Sequence, residues 1–221
     1  HVHPRLVDEL AHTRFKLRRR ELRRSGVPRY TQEFLGRLAG RFAASRLTTG
    51  RRAQRLTIAW AHDPHLHGRT PAELLDALTI SAVNRYSKTT LAEAPTLFFE
   101  FHGSPSGVEE QAALVQELAA EHGGMNFEWA TRPEDRSRLW QARHDAYFAC
   151  LQLKPGSRAF PTDVCVPISR LAECIRATNE DIAKSSIPIP LFGHVGDGNF
   201  HLVVLIDPAN PQEVAEAEKI N

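Results

Sequence analysis

The chemistry in this sequence concentrates in one nine-residue stretch, Gly193-His194-Val195-Gly196-Asp197-Gly198-Asn199-Phe200-His201. Two histidines stand seven apart. In a helix that spacing would put them on one face, but Gly196 and Gly198 argue against a helix. The stretch is expected to be a tight loop between an incoming extended segment and a strand beginning near Phe200. Its glycines would let the backbone turn sharply and approach a ligand closely. The imidazoles then stand at the two ends of the loop and face one site. Neutral imidazole suits zinc, manganese or iron, and two histidines need at least one further protein donor. Asp197 and Asn199 lie between them, where either could orient a ligand or hydrogen-bond the loop's own backbone. The opposing expectation is a β-turn whose histidines merely pack or face solvent.

The elements that must hold this loop read as follows. Residues 71–86 suggest a helix opening at Pro71, with Leu74, Leu75, Leu78 and Ala82 on one face. Residues 95–102 are an apolar, aromatic strand. Ser106 reads as the N-cap of a helix that carries Val108, Ala112, Val115 and Leu118 and stops at Gly123-Gly124. A short strand over 126–130 is followed by a helix from Pro133 to about residue 151, with Leu139, Trp140, Arg143, Tyr147 and Cys150 near one face. Residues 160–166 read as a strand. Ser169 reads as the cap of a helix reaching about residue 184. The apolar run 200–206 is a further strand, and Pro211 opens a last helix. Alternating strands and helices with short connections imply an α+β fold, a mostly antiparallel sheet with helices packed on one face.

Composition divides the chain. Residues 1–70 hold 16 Lys+Arg against 5 Asp+Glu, all of the basic residues except Lys16 being arginine; residues 71–221 hold 12 against 21. We therefore expect an Arg-rich extension of unknown role over 1–70, helical (near 6–24 and 32–44) or disordered, and a separate domain over 71–221. Basic runs of this kind can bind nucleic acid or anionic membranes, but no interleaved aromatics or reading module accompany them, so no nucleic acid is expected. His62, His65 and His67 fall in a stretch without thiolates or a carboxylate frame and read as a solvated loop. Cys150, Cys165 and Cys174 lack metal-type spacing and read as buried, inert thiols of a reduced compartment. No apolar run is long enough for a membrane-spanning helix. The start, His1-Val2-His3-Pro4, suggests a fragment, and the expected location is cytoplasmic, peripheral at the inner membrane at most, or mitochondrial in a eukaryote.

The loop motif is very similar to a signature of the FAD-linked oxidases that include D-lactate, D-2-hydroxyglutarate and glycolate oxidising enzymes. The resemblance extends, in family order, over 71–221. Its other segments are Asn84-Arg85-Tyr86-Ser87-Lys88, Ala94 to Ser104, Arg136 to His144 and Thr162 to Leu171; Thr162-Asp163-Val164-Cys165-Val166-Pro167 resembles the D-lactate branch in particular. The resemblance implies the cap domain of a vanillyl-alcohol-oxidase-type flavoenzyme, the C-terminal part of an enzyme whose N-terminal domain binds FAD. It implies oxidation of a small 2-hydroxy acid to a 2-oxo acid, with electrons passing to a cytochrome, quinone or electron-transfer flavoprotein. By the same resemblance His194 and His201 ligate a divalent metal (zinc, manganese or iron), Arg143 binds the substrate carboxylate, and Asn199 touches substrate or braces the loop. No residue is assigned a catalytic or flavin-binding role. The family's third metal ligand, a Glu, and the following His base belong to a motif further along than Asn221, so the domain reads as truncated. This chain alone is expected neither to bind FAD nor to turn over. Val203 replaces an Asn of the hydroxyglutarate branch, and that branch's Lys near Thr162 is absent; both favour a monocarboxylate such as D-lactate. The alternative is an inactive paralogue that binds a metal or a partner.

Overall fold

The computed structural model describes residues 54–59, 72–101, 104–121, 124–130 and 132–220. The expected helices near 6–24 and 32–44 and the loop at 61–70 lie outside these residues. Strands β1 (Gln54–Ala59), β2 (Ala72–Leu75), β3 (Thr96–Phe99), β4 (Gly124–Ala130), β5 (Arg158–Pro161), β6 (Val164–Cys165), β7 (Leu191–Gly193) and β8 (Asn199–Ile206) alternate with helices α1 (Ala77–Ser87), α2 (Pro105–Glu121), α3 (Pro133–His144), α4 (Ala146–Leu151), α5 (Ile168–Ile182) and α6 (Pro211–Ile220). Among the described residues the strands form one sheet in the order β4-β1-β3-β2-β7-β8-β5, with β6 also on β8. The β1–β3 and β1–β4 pairs are parallel. The pairs of β2 with β3 and β7, and of β8 with β5, β6 and β7, are antiparallel.

The α+β class stands, but the sheet is covered on both faces rather than one. Strand β8 makes this plain. Phe200, Leu202, Val204 and Ile206 join one core with Val108 and Val115 of α2, Leu171 of α5 and Ala217 of α6. Val203 and Leu205 join a second core with Ile80 and Val83 of α1, Ala142 of α3 and Ala149 and Cys150 of α4. Successive strand residues point to opposite faces, so a continuous apolar run such as 200–206 is the signature of a strand buried on both sides.

Several boundaries differ from expectation for local reasons. The helix expected from Pro71 begins only at Ala77, because Asp76 is its N-cap: the Asp76 Oδ1 accepts from the Thr79 N–H at 2.7 Å. Residues 72–75 are instead a strand. Ser104, not Ser106, caps α2, its Oγ accepting from the Gly107 N–H at 3.3 Å. Helix α5 starts at Ile168 after Pro167, with no side-chain cap from Ser169. The helix expected over 133–151 is interrupted at Asp145, whose carboxylate accepts from Gln141 and Ser87. Its buried face is carried by Ala142, Arg143, Ala146, Ala149 and Cys150, while Tyr147 is exposed. Of the three thiols only Cys150 is buried; Cys165 is exposed and Cys174 lies between.

Candidate functional site

Register brings the site together. Antiparallel pairing sets Leu74 opposite Gly193 and Leu75 opposite Phe192. One step further along the same register, Glu73 meets His194. On the other side of β7, Phe192 stands opposite His201 of β8. Glu73 is also opposite Phe98 of β3. Directly paired residues share a face, so Glu73, Phe192 and His201 all lie on the side of the sheet covered by α1, α3 and α4.

Arg143 reaches this face from α3. Its Nε and Nη2 both donate to Glu73 Oε2 at 2.8 Å. The guanidinium carbon lies 5.4 Å from the Phe192 ring centroid. The other oxygen, Glu73 Oε1, is 2.6 Å from His194 Nδ1. Glu73 is 6% exposed and Arg143 8%. An unpaired charge at that depth would be expensive, and the ion pair removes the cost of leaving either partner alone. Among the described residues Arg143 has no hydrogen-bond partner besides Glu73, which leaves both Nη1 donors and one Nη2 donor as an end-on fork of the geometry that grips carboxylates.

The loop after β7 is a single 3-10 turn, Val195–Asp197, ending at Gly198 with φ +79°. His194 O accepts from the N–H groups of Asp197 and Asn199 at 2.9 and 3.2 Å. The expected sharp turn is present. The close approach its glycines allow is to the protein's own chain: a Cβ on Gly198 would sit 2.2 Å from Val166 O, and one on Gly196 3.1 Å from the Ala72 nitrogen.

His194 and His201 do face each other, with ring centroids 5.9 Å apart and planes at 88°. A carboxylate can only accept, so His194 Nδ1 donates to Glu73 and the neutral ring presents Nε2 as its lone pair. His201 Nδ1 lies 3.3 Å from both Thr162 O and Asp163 Oδ1, again acceptors. Its Nε2 is presented likewise. Carboxylate- and carbonyl-backed imidazoles of this kind are the usual outer arrangement of metal-binding histidines. Two imidazoles sharing one tetrahedral zinc at about 2.0–2.1 Å would hold their centroids about 5 Å apart, so this pair is slightly wider than a filled site. The donor chemistry therefore suits a divalent metal, while no group of three His, Cys, Asp or Glu that could hold one occurs among the described residues. Glu73 stands behind His194, on Nδ1, and not beside Nε2.

Asn199 braces the loop. Its Nδ2 donates to Asp163 Oδ1 at 2.6 Å and to Val164 O at 3.2 Å, tying the turn to β6. The sequence reading named Arg143, His194, Asn199 and His201, and the structure brings them to one region; it missed Glu73, the residue that joins two of them. The available signal was an acid inside the apolar run Ala72-Glu73-Leu74-Leu75, directly before a competent N-cap at Asp76. A helix opening at Pro71 would carry that acid in its first turn, where acids are favoured, and so gives it no special role.

A helix-covered sheet with a His-Gly-turn-His edge and a buried arginine defines the class. The chain matches the family model "FAD linked oxidases, C-terminal domain" over residues 65–221 and belongs to that family. It is 49% identical over 142 residues to "Probable D-lactate dehydrogenase, mitochondrial" of Danio rerio, covering 64% of this chain and 29% of the relative. It is 42% identical over 149 residues to "D-lactate dehydrogenase [cytochrome], mitochondrial" of Arabidopsis thaliana, covering 67% of this chain and 26% of that one. A glycolate oxidase subunit, GlcD of Bacillus subtilis, is 30% identical over 149 residues. The chain thus spans less than a third of the length of these first two relatives. Among the described residues no helix is long and apolar enough to cross a membrane.

Proposed function

We propose that this chain is the substrate-binding cap of an FAD-dependent D-2-hydroxyacid dehydrogenase that oxidises D-lactate to pyruvate. The observation that carries the reading is the convergence of Arg143 and the facing pair His194 and His201 on one sheet face around Glu73. The Arg143 fork would clamp the substrate carboxylate. His194 and His201 would hold a divalent metal through Nε2, and such a metal supplies Lewis-acid polarisation of the substrate's hydroxyl and carboxylate oxygens. Bound FAD supplies the hydride acceptor, and its binding residues are not assigned on this chain. Asn199 has given both amide hydrogens to Asp163 and Val164, so its Oδ1 is the atom left for a substrate hydroxyl. The ring of Phe192, stacked under Arg143, keeps water from the back of the clamp. Val203 is apolar and 1% exposed on the same face, which suits a monocarboxylate. Both D-lactate relatives are named mitochondrial, which favours a mitochondrial location, and the name of one includes a cytochrome, which favours that acceptor.

A chimera tests the reading: residues 65–221 replace the matching stretch of the Danio rerio relative. Anaerobic D-lactate is expected to bleach the flavin, D-2-hydroxyglutarate to leave it oxidised, and Arg143→Ala to abolish bleaching. A chimera that binds flavin but is not bleached by D-lactate overturns it.

A further inference from the structure

We propose that Glu73 is a positioning residue for both halves of this site: one buried carboxylate orients the Arg143 guanidinium and sets the tautomer of His194. The proposal deepens the reading above and rests on it for the roles of Arg143 and His194.

Among the described residues Glu73 and Arg143 are the charged side chains with the least exposed surface, Asp76 being part-buried. A structural ion pair would need only these two. Here a third group takes part: the half-exposed His194, at 53%, uses the oxygen that Arg143 leaves. The two carboxylate oxygens are divided cleanly, Oε2 for Arg143 and Oε1 for His194. Each polar partner of the carboxylate among the described residues is a donor: Nε–H and Nη2–H of Arg143 and Nδ1–H of His194. Only a group with two acceptors satisfies them together. A glutamine of the same size has one acceptor and one NH2, so it must oppose either Arg143 or the Nδ1–H tautomer of His194. The β2–β7 register sets Glu73 opposite His194, and α3 delivers Arg143, so three separate elements are locked at one side chain. A shift of Glu73 moves the anion clamp and the metal-facing nitrogen at once.

The test has two readouts that a purely structural role would not move, the first on the 221-residue chain and the second on the chimera described above. Long-range nitrogen-15 NMR of labelled histidines, assigned with His194→Ala, reports which ring nitrogen of His194 carries the proton. Calorimetric titration of the chimera with zinc alone reports metal affinity, because two histidines need a further protein donor. In the parent chain His194 is expected as the Nδ1–H tautomer. In Glu73→Gln that tautomer is expected to mix with the Nε2–H form, and zinc affinity to fall by about 10–100-fold, the usual cost of removing a partner behind a ligand. Glu73→Asp, with both acceptors on a shorter stem, is expected to recover part of each. A folded Glu73→Gln chain with the parent tautomer and the parent zinc affinity overturns the proposal. Should Glu73→Gln fail to fold, Glu73→Met combined with Arg143→Met removes both buried charges together and carries the same readouts. Zinc binding indifferent to His194→Ala would instead sink the metal assignment of the proposed function, and the tautomer readout would still decide the role of Glu73.

Discussion

His194 and His201 hold their rings edge to face, 5.9 Å between centroids, although one precedes a 3-10 turn and the other is the third residue of β8. Each ring is backed on Nδ1 by a different element, β2 for His194 and the β5–β6 connection for His201. The pair should therefore act as a unit. In the chimera, His194→Ala and His201→Ala are each expected to abolish measurable zinc binding, and the double variant to be no worse than either. Calorimetry checks this; retention of binding by either single variant would contradict it.

Arg143 and Glu73 are coupled in stability as well. Arg143→Met leaves the Glu73 carboxylate buried without its cation and is expected to destabilise by about 3–5 kcal/mol, whereas Glu73→Met with Arg143→Met should recover most of the loss. Urea unfolding of the two variants and the parent measures the coupling. In the chimera, Arg143→Lys is expected to lose most D-lactate-dependent bleaching, because an ammonium cannot reproduce the planar fork.

Gly198 is the turn's weak point. Its φ of +79° and the 2.2 Å approach of a Cβ to Val166 O leave no room for alanine. Gly198→Ala combines left-handed strain, about 1–2 kcal/mol, with a backbone clash. A drop in melting temperature of more than about 2–4 °C is expected, that being the shift per kcal/mol for a chain of this size. Zinc affinity should fall alongside it.

The thiols should differ in reactivity. Burial, with the Asp76 carboxylate adding to it, pushes the Cys150 thiol up to about 12. Iodoacetamide near neutral pH is expected to label exposed Cys165 and to spare Cys150 until the chain unfolds. Peptide mass spectrometry with and without urea reads the order.

Asp76 adds a pH dependence. Burial raises its carboxyl above the usual carboxylate range, against the lowering effect of its hydrogen bonds to Thr79 and Leu191. The folded chain then binds this proton more tightly than the unfolded one. Its contribution is greatest below the ordinary carboxylate pKa and is lost as pH rises through the interval up to the raised value. Asp76→Asn keeps a cap of equal quality and should flatten that part of the stability profile, whereas Asp76→Ala also loses the cap, about 1 kcal/mol. Urea unfolding from acidic to neutral pH distinguishes the two.

The sequence by itself determined the chemistry-bearing loop and most of the elements around it. Local rules reach that far: glycine spacing excludes a helix at 193–201, alternation and apolar runs mark β3 and β8, and prolines and glycines mark helix ends. The same run at 200–206 already held the evidence that both faces of the sheet are buried. Where local signals compete, sequence and structure part: Pro71 reads as a helix start although Asp76 is the cap, and Ser106 and Ser169 read as caps although the helices begin after Ser104 and Pro167. What only the tertiary structure decided was how the separate segments meet. Glu73 is 70 residues from Arg143 and 121 from His194, and no periodicity connects them. Strand register and the docking of α3 on the sheet bring them together, and both depend on side chains packing across the whole domain. That long-range packing makes Glu73 the buried centre of the site.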